Sequence, residues 1–167
     1  VDALERLWTP YRMAYIAGAS DEPNRHEPRG CPFCAMREPR EHDLVVHRGE
    51  TAFAVLNLHP YNPGHLMVLP YRHVADLEDL TADESLEMTA LTTQAVRTIK
   101  QVAAPHAFNV GFNLGGVAGG SLASHLHQHV VPRWEGDANF MTVLNGTKVM
   151  PQLLEDTRDL LAGAWPV

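Results

Sequence analysis

Residues 125–131 read His-Leu-His-Gln-His-Val-Val, with histidines at i, i+2 and i+4. Successive side chains of a strand point to opposite faces, so as a strand this stretch sets three imidazoles in one row, roughly 6–7 Å apart. Leu126, Gln128 and Val130 then take the other face. An imidazole serves as nucleophile, acid, base or hydrogen-bond donor near neutral pH. One row can therefore supply both an attacking nitrogen and donors for the charge that develops beside it. A metal cluster and a solvated histidine tract are the plainer readings. The preceding residues weigh against them, because Gly115, Gly116, Gly119 and Gly120 crowd a short stretch before the row. Glycines let backbone N–H groups approach phosphate oxygens, and Ser121 adds a hydroxyl. A glycine-rich loop alone is equally a flexible turn.

Outward from this row the chain divides into short strands and two helices. Segments 44–48 and 51–57 flank Gly49-Glu50 and predict a hairpin with a two-residue turn. The run from Asn57 to Gly64 is dense in turn formers, and His65 to Pro70 predicts a third strand. Thr81 and Glu84 form a capping box. Met88, Leu91, Ala95, Ile99 and Val102 then recur at spacings of three and four, predicting a long helix that Pro105 ends. Phe108 to Asn113 and Leu126 to Val131 read as the last two strands. Pro151 suits a first helical turn, and Leu153, Leu154, Thr157, Leu160, Leu161 and Ala164 predict a C-terminal amphipathic helix over 151–165. Residues 18–30, rich in charge, proline and glycine, read as an exposed loop. Together these predict a single α+β domain over 1–167, with a mostly antiparallel five-stranded sheet, a long crossover helix and a C-terminal helix.

Composition narrows the function classes. The 167 residues are 45% hydrophobic, enough for one sizeable core. Thirteen basic residues against twenty acidic give a net charge of −7, which argues against a nonspecific nucleic-acid binder. No window approaches the ~18–20 apolar residues of a membrane span, and no signal-like stretch opens the chain. A soluble cytoplasmic protein is the expectation, with a trimmed N-terminus left open by the start at Val1. Ten histidines stand against two lysines. Cys31 and Cys34 are too few and too close for a disulfide framework. They are compatible with structural zinc, free thiols or a redox pair, although the βαβ context of a thioredoxin-like site is missing.

The row resembles the signature of the histidine triad (HIT) family of nucleotide hydrolases and transferases, His-φ-His-φ-His-φ-φ with φ apolar. Gln128 departs from it on the back face. Leu56-Asn57-Leu58 with Pro63-Gly64-His65-Leu-Met-Val-Leu-Pro70 looks like the family's first motif block. Several further stretches resemble the actinobacterial type of diadenosine tetraphosphate phosphorylase: Leu7-Trp8-Thr-Pro10, Arg12 to Ile16, Asn113-Leu-Gly-Gly, Gly119 to His125 and Val131-Pro-Arg-Trp134. Ser121 lies four residues before the first histidine, where many family members have a Ser or Thr three before. That offset fits the phosphorylase-like branch.

The resemblance implies a HIT fold and attack by His127 on the α-phosphate of a nucleotide, with His129 donating to phosphate or leaving oxygens. His65 would line the same pocket, or else be a satisfied structural histidine. Asn113, Gly120 and Ser121 would hold inorganic phosphate. Asn57 would bind ribose hydroxyls, or be a turn residue. Phe33, Leu56 and Leu58 would form a slot for the base, or be ordinary core. The family also implies that His73 and His125 complete a structural zinc site with Cys31 and Cys34. The implied reaction cleaves diadenosine tetraphosphate with phosphate to ATP and ADP. Its rivals are hydrolysis of dinucleoside polyphosphates or adenosine phosphoramidates, and nucleotide binding without turnover. The implied partners are the nucleotide, inorganic phosphate, a divalent cation accompanying the nucleotide, and a second copy of the chain in a homodimer or higher oligomer.

Overall fold

The computed structural model describes residues 30–40, 42–118, 122–137 and 150–166. The stretches Leu7 to Pro10 and Arg12 to Ile16, most of the expected loop at 18–30, and Gly119, Gly120 and Ser121 lie outside the described residues.

The first hairpin pairs β1 (Val45–Arg48) with β2 (Ala52–Leu56), a continuous apolar run buried at every position, with a register shift between Val45 and His47. The turn sits one residue later than expected, at Glu50-Thr51, because the Gly49 N–H donates to the Ala52 carbonyl at 2.9 Å. A carboxylate from the long helix sets this position: Glu87 accepts from the backbone N–H groups of Glu50, Thr51 and Ala52. Glycine at position 49 leaves room for that carboxylate, which a Cβ there would displace.

β3 (Leu66–Pro70) pairs antiparallel with β2 and leads to the helix α1 (Ala82–Ala103). The capping box forms as the sequence predicts, Thr81 Oγ1 accepting from the Glu84 N–H and Glu84 from the Thr81 N–H. Arg72 adds a two-pronged ion pair to Glu84. With the Thr81 N–H and despite burial, it holds that carboxyl down at about 2. α1 ends at Ala104 in the left-handed region (φ 43°), immediately before Pro105.

From α1 the chain enters β4 (Ala107–Phe112), at the sheet edge, and returns through β5 (Gln128–Arg133) between β4 and β3. The order is β1-β2-β3-β5-β4, and every pair is antiparallel. The five-stranded antiparallel sheet and long crossover helix agree with expectation.

The last helix does so only in part. α2 (Leu154–Ala164) begins three residues after Pro151. Leu153, expected on its apolar face, is the extended cap residue and exposed, as is Leu160, while Thr157 and Leu161 carry the burial.

Period-two alternation sorts the strand residues between two covered faces. Ala52, Ala54, Leu56, Leu66, Val68 and Val130 pack under Met88, Leu91, Ala95 and Ile99 of α1, with Leu161 and Trp165. Val45, Phe53, Val55, Met67 and Leu69 take the opposite face, covered by Cys31 and Phe33. The second face carries the candidate site.

Candidate active site and metal centre

β5 begins at Gln128 rather than at Leu126, and it extends to Arg133. The reason lies in the ladder. β3 pairs with β5 only from Gln128 to Val130, and the Leu126 N–H is already taken by the Val74 carbonyl at 2.6 Å. Of the three histidines, only His129 therefore lies within the sheet. His127 and His125 sit on the extended approach, and His125 turns away toward the two cysteines. The back-face departure Gln128 is accommodated by α1, where Thr92 Oγ1 donates to Gln128 Oε1 at 2.7 Å.

Hydrogen bonds dictate the tautomers of the buried imidazoles. His127 Nδ1–H donates to the His125 carbonyl at 2.8 Å, so Nε2 keeps its lone pair. The Tyr61 N–H donates to His65 Nδ1 at 3.1 Å, so His65 carries its proton on Nε2. That proton is donated to His129 Nδ1 at 2.9 Å. His129 is thereby left with its proton on Nε2, and the Asn113 amide lies 3.4 Å from that atom. The His127 and His129 rings meet edge-on with centroids 4.9 Å apart. One ring thus offers a lone pair and its neighbour an N–H.

Burial keeps this group neutral. It lowers His127 below the usual imidazole range, and it takes His129 down to about 4 and His65 to about 3, with the neighbouring imidazoles adding to the shift. A neutral imidazole is the form able to attack an electrophile.

Beside this row Cys31, Cys34, His73 and His125 bring four ligand atoms within 4.8 Å of one another. Tetrahedral zinc with sulfur at ~2.3 Å and nitrogen at ~2.0–2.1 Å has S···N edges of about 3.5 Å. The separations here are 3.4 Å for Cys31 Sγ to His125 Nδ1, 3.3 Å for Cys34 Sγ to His73 Nδ1 and 3.6 Å for Cys34 Sγ to His125 Nδ1. His125 Nε2–H donates to the Pro70 carbonyl at 2.9 Å, which leaves Nδ1 unprotonated and facing the thiols, as a ligand needs. Burial, reinforced by Cys31, pushes the Cys34 thiol up to about 11. A nearby cation would reverse that. The donor set and its spacing fit zinc.

The site opens into a cavity of about 810 Å³ holding His127, His129, Asn57, Phe33, Leu58 and Tyr61 among its walls. Phe33, between the two cysteines, packs its ring 5.3 Å from that of His127. Asn57 Oδ1 accepts from the His59 N–H at 2.9 Å, forming a turn, while its amide nitrogen lies 3.5 Å from His65 Nδ1. Leu58 is exposed and Leu56 belongs mainly to the helix-side core.

Sequence reasoning missed Tyr61, whose backbone N–H sets the His65 tautomer and whose ring packs on His65 and His129. Nothing in a turn-rich run marks a backbone donor of this kind. It also missed a second cavity of about 470 Å³ on the far side of His129, with Asn109, Gly111, Val131 and Arg133 in its walls. Two histidines without an expected role have structural partners. His47 stacks on Trp165, and His106 Nδ1 accepts from the Glu135 N–H.

Residues 38–136 match the HIT domain family model. The chain is 60% identical over 167 residues to a Mycobacterium tuberculosis protein named AP-4-A phosphorylase, covering 98% of this chain and 86% of that one. Among solved structures it resembles a zinc-bound histidine triad family protein from Mycobacterium smegmatis, at TM-score 0.65 and 26% identity over 82% of this chain and 94% of that one. A histidine triad nucleotide-binding protein from Sulfolobus tokodaii superposes with TM-score 0.66 at 23% identity, over 80% and 91% of the two chains. A row of neutral imidazoles with complementary tautomers, on a five-stranded antiparallel sheet backed by one long helix, agrees with these matches: the chain belongs to the HIT domain family.

Proposed function

We propose that this protein is a nucleotidyl-transferring phosphorylase that cleaves diadenosine tetraphosphate with inorganic phosphate to ATP and ADP. The observation that carries the reading is the tautomer pair: a lone pair on His127 Nε2 beside an N–H on His129 Nε2, both bordering one cavity. The identity to a protein named AP-4-A phosphorylase supports the choice of substrate.

In the first step His127 Nε2 attacks the α-phosphorus. A P–N bond forms, the bond to the bridging oxygen breaks, and ATP departs with that bond's electron pair. His129 Nε2–H donates to the oxygen that takes up the charge. The imidazole gains positive charge as the P–N bond forms, and the His125 carbonyl accepting from Nδ1 stabilises it. In the second step an oxygen of inorganic phosphate attacks the same phosphorus, giving ADP and releasing neutral His127. Asn113, with Gly120 and Ser121, would hold that phosphate, and Asn57 the ribose. A net charge of −7 gives an anionic substrate no general attraction, so these local donors must supply the recognition.

In this reading Cys31, Cys34, His73 and His125 hold a structural zinc, supported by their spacing and by the zinc-bound relative. When bound, the metal supplies a rigid cross-link between the Cys31–Cys34 segment and the approach to β5. It takes no part in bond making. The chain pairs as a homodimer; β4 is the sheet's edge strand, and Val110 on it is exposed. A cytoplasmic setting suits two cysteines present as thiols.

Product analysis with and without phosphate tests the activity. ATP with ADP only when phosphate is present is the expected outcome. ATP with AMP irrespective of phosphate would make the protein a hydrolase, and no cleavage would refute both. His127→Asn should abolish turnover and retain nucleotide binding.

A further inference from the structure

The second cavity lies beyond His129. His127 borders the 810 Å³ cavity but not the 470 Å³ one, whereas His129, Tyr61 and Asn113 border both. The residue that donates to the leaving oxygen therefore stands between the nucleophile's chamber and this trough. In an in-line displacement the leaving group departs on the side opposite the nucleophile, past that donor.

The trough's floor follows from strand register. Gly111 of β4 pairs with His129, Asn109 with Val131, and Ala107 with Arg133, so these residues share one face of the sheet. At Gly111 nothing lies within 4 Å of where a Cβ would stand, and the floor is open directly beside His129. Val131 continues it as an apolar patch. Arg133 ends it four residues from His129, roughly 13 Å along the strand.

Arg133 is held in an unusual way for a phosphate ligand. Its Nε and Nη2 donate to the two Asp137 oxygens at 2.6 and 3.1 Å, and Nη1 donates to Asn109 Oδ1 at 2.8 Å. Asn62, itself buried, donates to Asp137 at 2.7 Å and holds the carboxylate in place. The guanidinium charge is thus matched by a carboxylate and its edges are occupied. What remains is a flat, fixed cationic face, with the side chain 45% exposed. Such a face stacks with an aromatic ring, a recurring way of holding nucleobases.

We infer that the trough between β4 and β5 is the subsite for the distal nucleoside of a dinucleoside polyphosphate, its base stacked on the Arg133 guanidinium and its sugar over Val131. This rests on the function proposed above and adds a second nucleoside site to it. A volume of about 470 Å³ falls in the ~300–1,000 Å³ range of small-molecule sites. Contacts to this remote half of the substrate place the scissile bond between His127 and His129.

Diadenosine tetraphosphate and adenosine 5′-tetraphosphate carry the same phosphate chain and differ only in the distal nucleoside. Their affinities are compared by calorimetry in a His127→Asn background, so that binding is read independently of turnover. The dinucleotide should bind at least about tenfold more tightly, and Arg133→Ala should erase that preference while leaving adenosine tetraphosphate within about twofold. Because Arg133→Ala also removes the ion pair to Asp137, Asn109→Trp, which fills the trough and leaves the Arg133–Asp137 pair intact, must give the same result. Equal affinities in the parent protein, or an equal loss for both ligands in the Asn109 variant, would overturn the subsite. A dinucleotide preference without phosphorolysis by the wild-type protein would refute the proposed reaction and leave the subsite standing.

Discussion

Replacing His65 by Leu tests whether the imidazole relay matters for catalysis. His65 is fully buried and touches the reaction only through His129, so its role is positioning. Its Nε2–H is the donor that holds His129 Nδ1 as an acceptor, and the Tyr61 N–H holds His65 in that form. Leucine at this position removes the donor. His129 then takes either tautomer and loses its fixed orientation, and the Tyr61 N–H loses its acceptor. A hydrogen bond to a group that develops charge contributes about 1.5–3 kcal/mol. At ~1.4 kcal/mol per factor of ten, misplacing the His129 donor should lower kcat by roughly 10- to 150-fold. KM should move far less, because the ground-state substrate makes the weaker form of that contact. His65→Gln supplies an amide N–H in place of the imidazole donor and should recover part of the rate. Steady-state kinetics on diadenosine tetraphosphate with phosphate gives both parameters, and imidazole ¹⁵N shifts report the His129 tautomer. A Leu variant with normal kcat, or a His129 proton still fixed on Nε2 alongside a slow enzyme, would refute the relay.

Zinc analysis should find one metal ion per chain and none in Cys34→Ala; metal-free protein should lose about 3 kcal/mol, or roughly 10 °C in Tm, and full zinc content in that variant would refute the ligand set. Acid should destabilise the protein in two stages. His65 at about 3 and His129 at about 4 resist protons that the unfolded chain accepts near 6.5, so each removes about 1 kcal/mol of stability per pH unit as the pH falls from 6.5 toward 4. Glu84, held at about 2, contributes stability that is complete above its ordinary 4.5 and lost as the pH falls toward 2. Urea titrations at pH 7, 6 and 5 measure the first slope, which His65→Gln should flatten and which a flat parent profile would contradict. Thr92→Val should cost about 1–2 kcal/mol by stranding Gln128 Oε1 between helix and sheet. The Thr92→Val, Gln128→Leu double variant should recover most of that loss, and additive losses in chemical denaturation would exclude the coupling.

Much of the molecule was legible because its rules are local. The capping box at Thr81 and Glu84, the apolar stripe from Met88 to Ile99 and the strand alternation each depend on residues a few positions apart. The shortfalls came where a distant group competes for the backbone. Glu87 moves the hairpin turn to Glu50-Thr51, and Val74 takes the Leu126 N–H and delays β5 to Gln128. Pro151 was a permissive signal for a helix start, not a compelling one.

The sequence by itself determined the fold family and which histidines to examine, because side-chain order along a strand and a helix is a property of adjacent residues. Only the tertiary structure decided what each imidazole is. His125 meets Cys31 across 94 positions, and His65 meets His129 across 64. A tautomer is set by the partner of the second ring nitrogen, and those partners include the Pro70 and His125 carbonyls and the Tyr61 N–H. Backbone groups are the same in every residue, so no sequence pattern marks which of them a fold will bring to an imidazole.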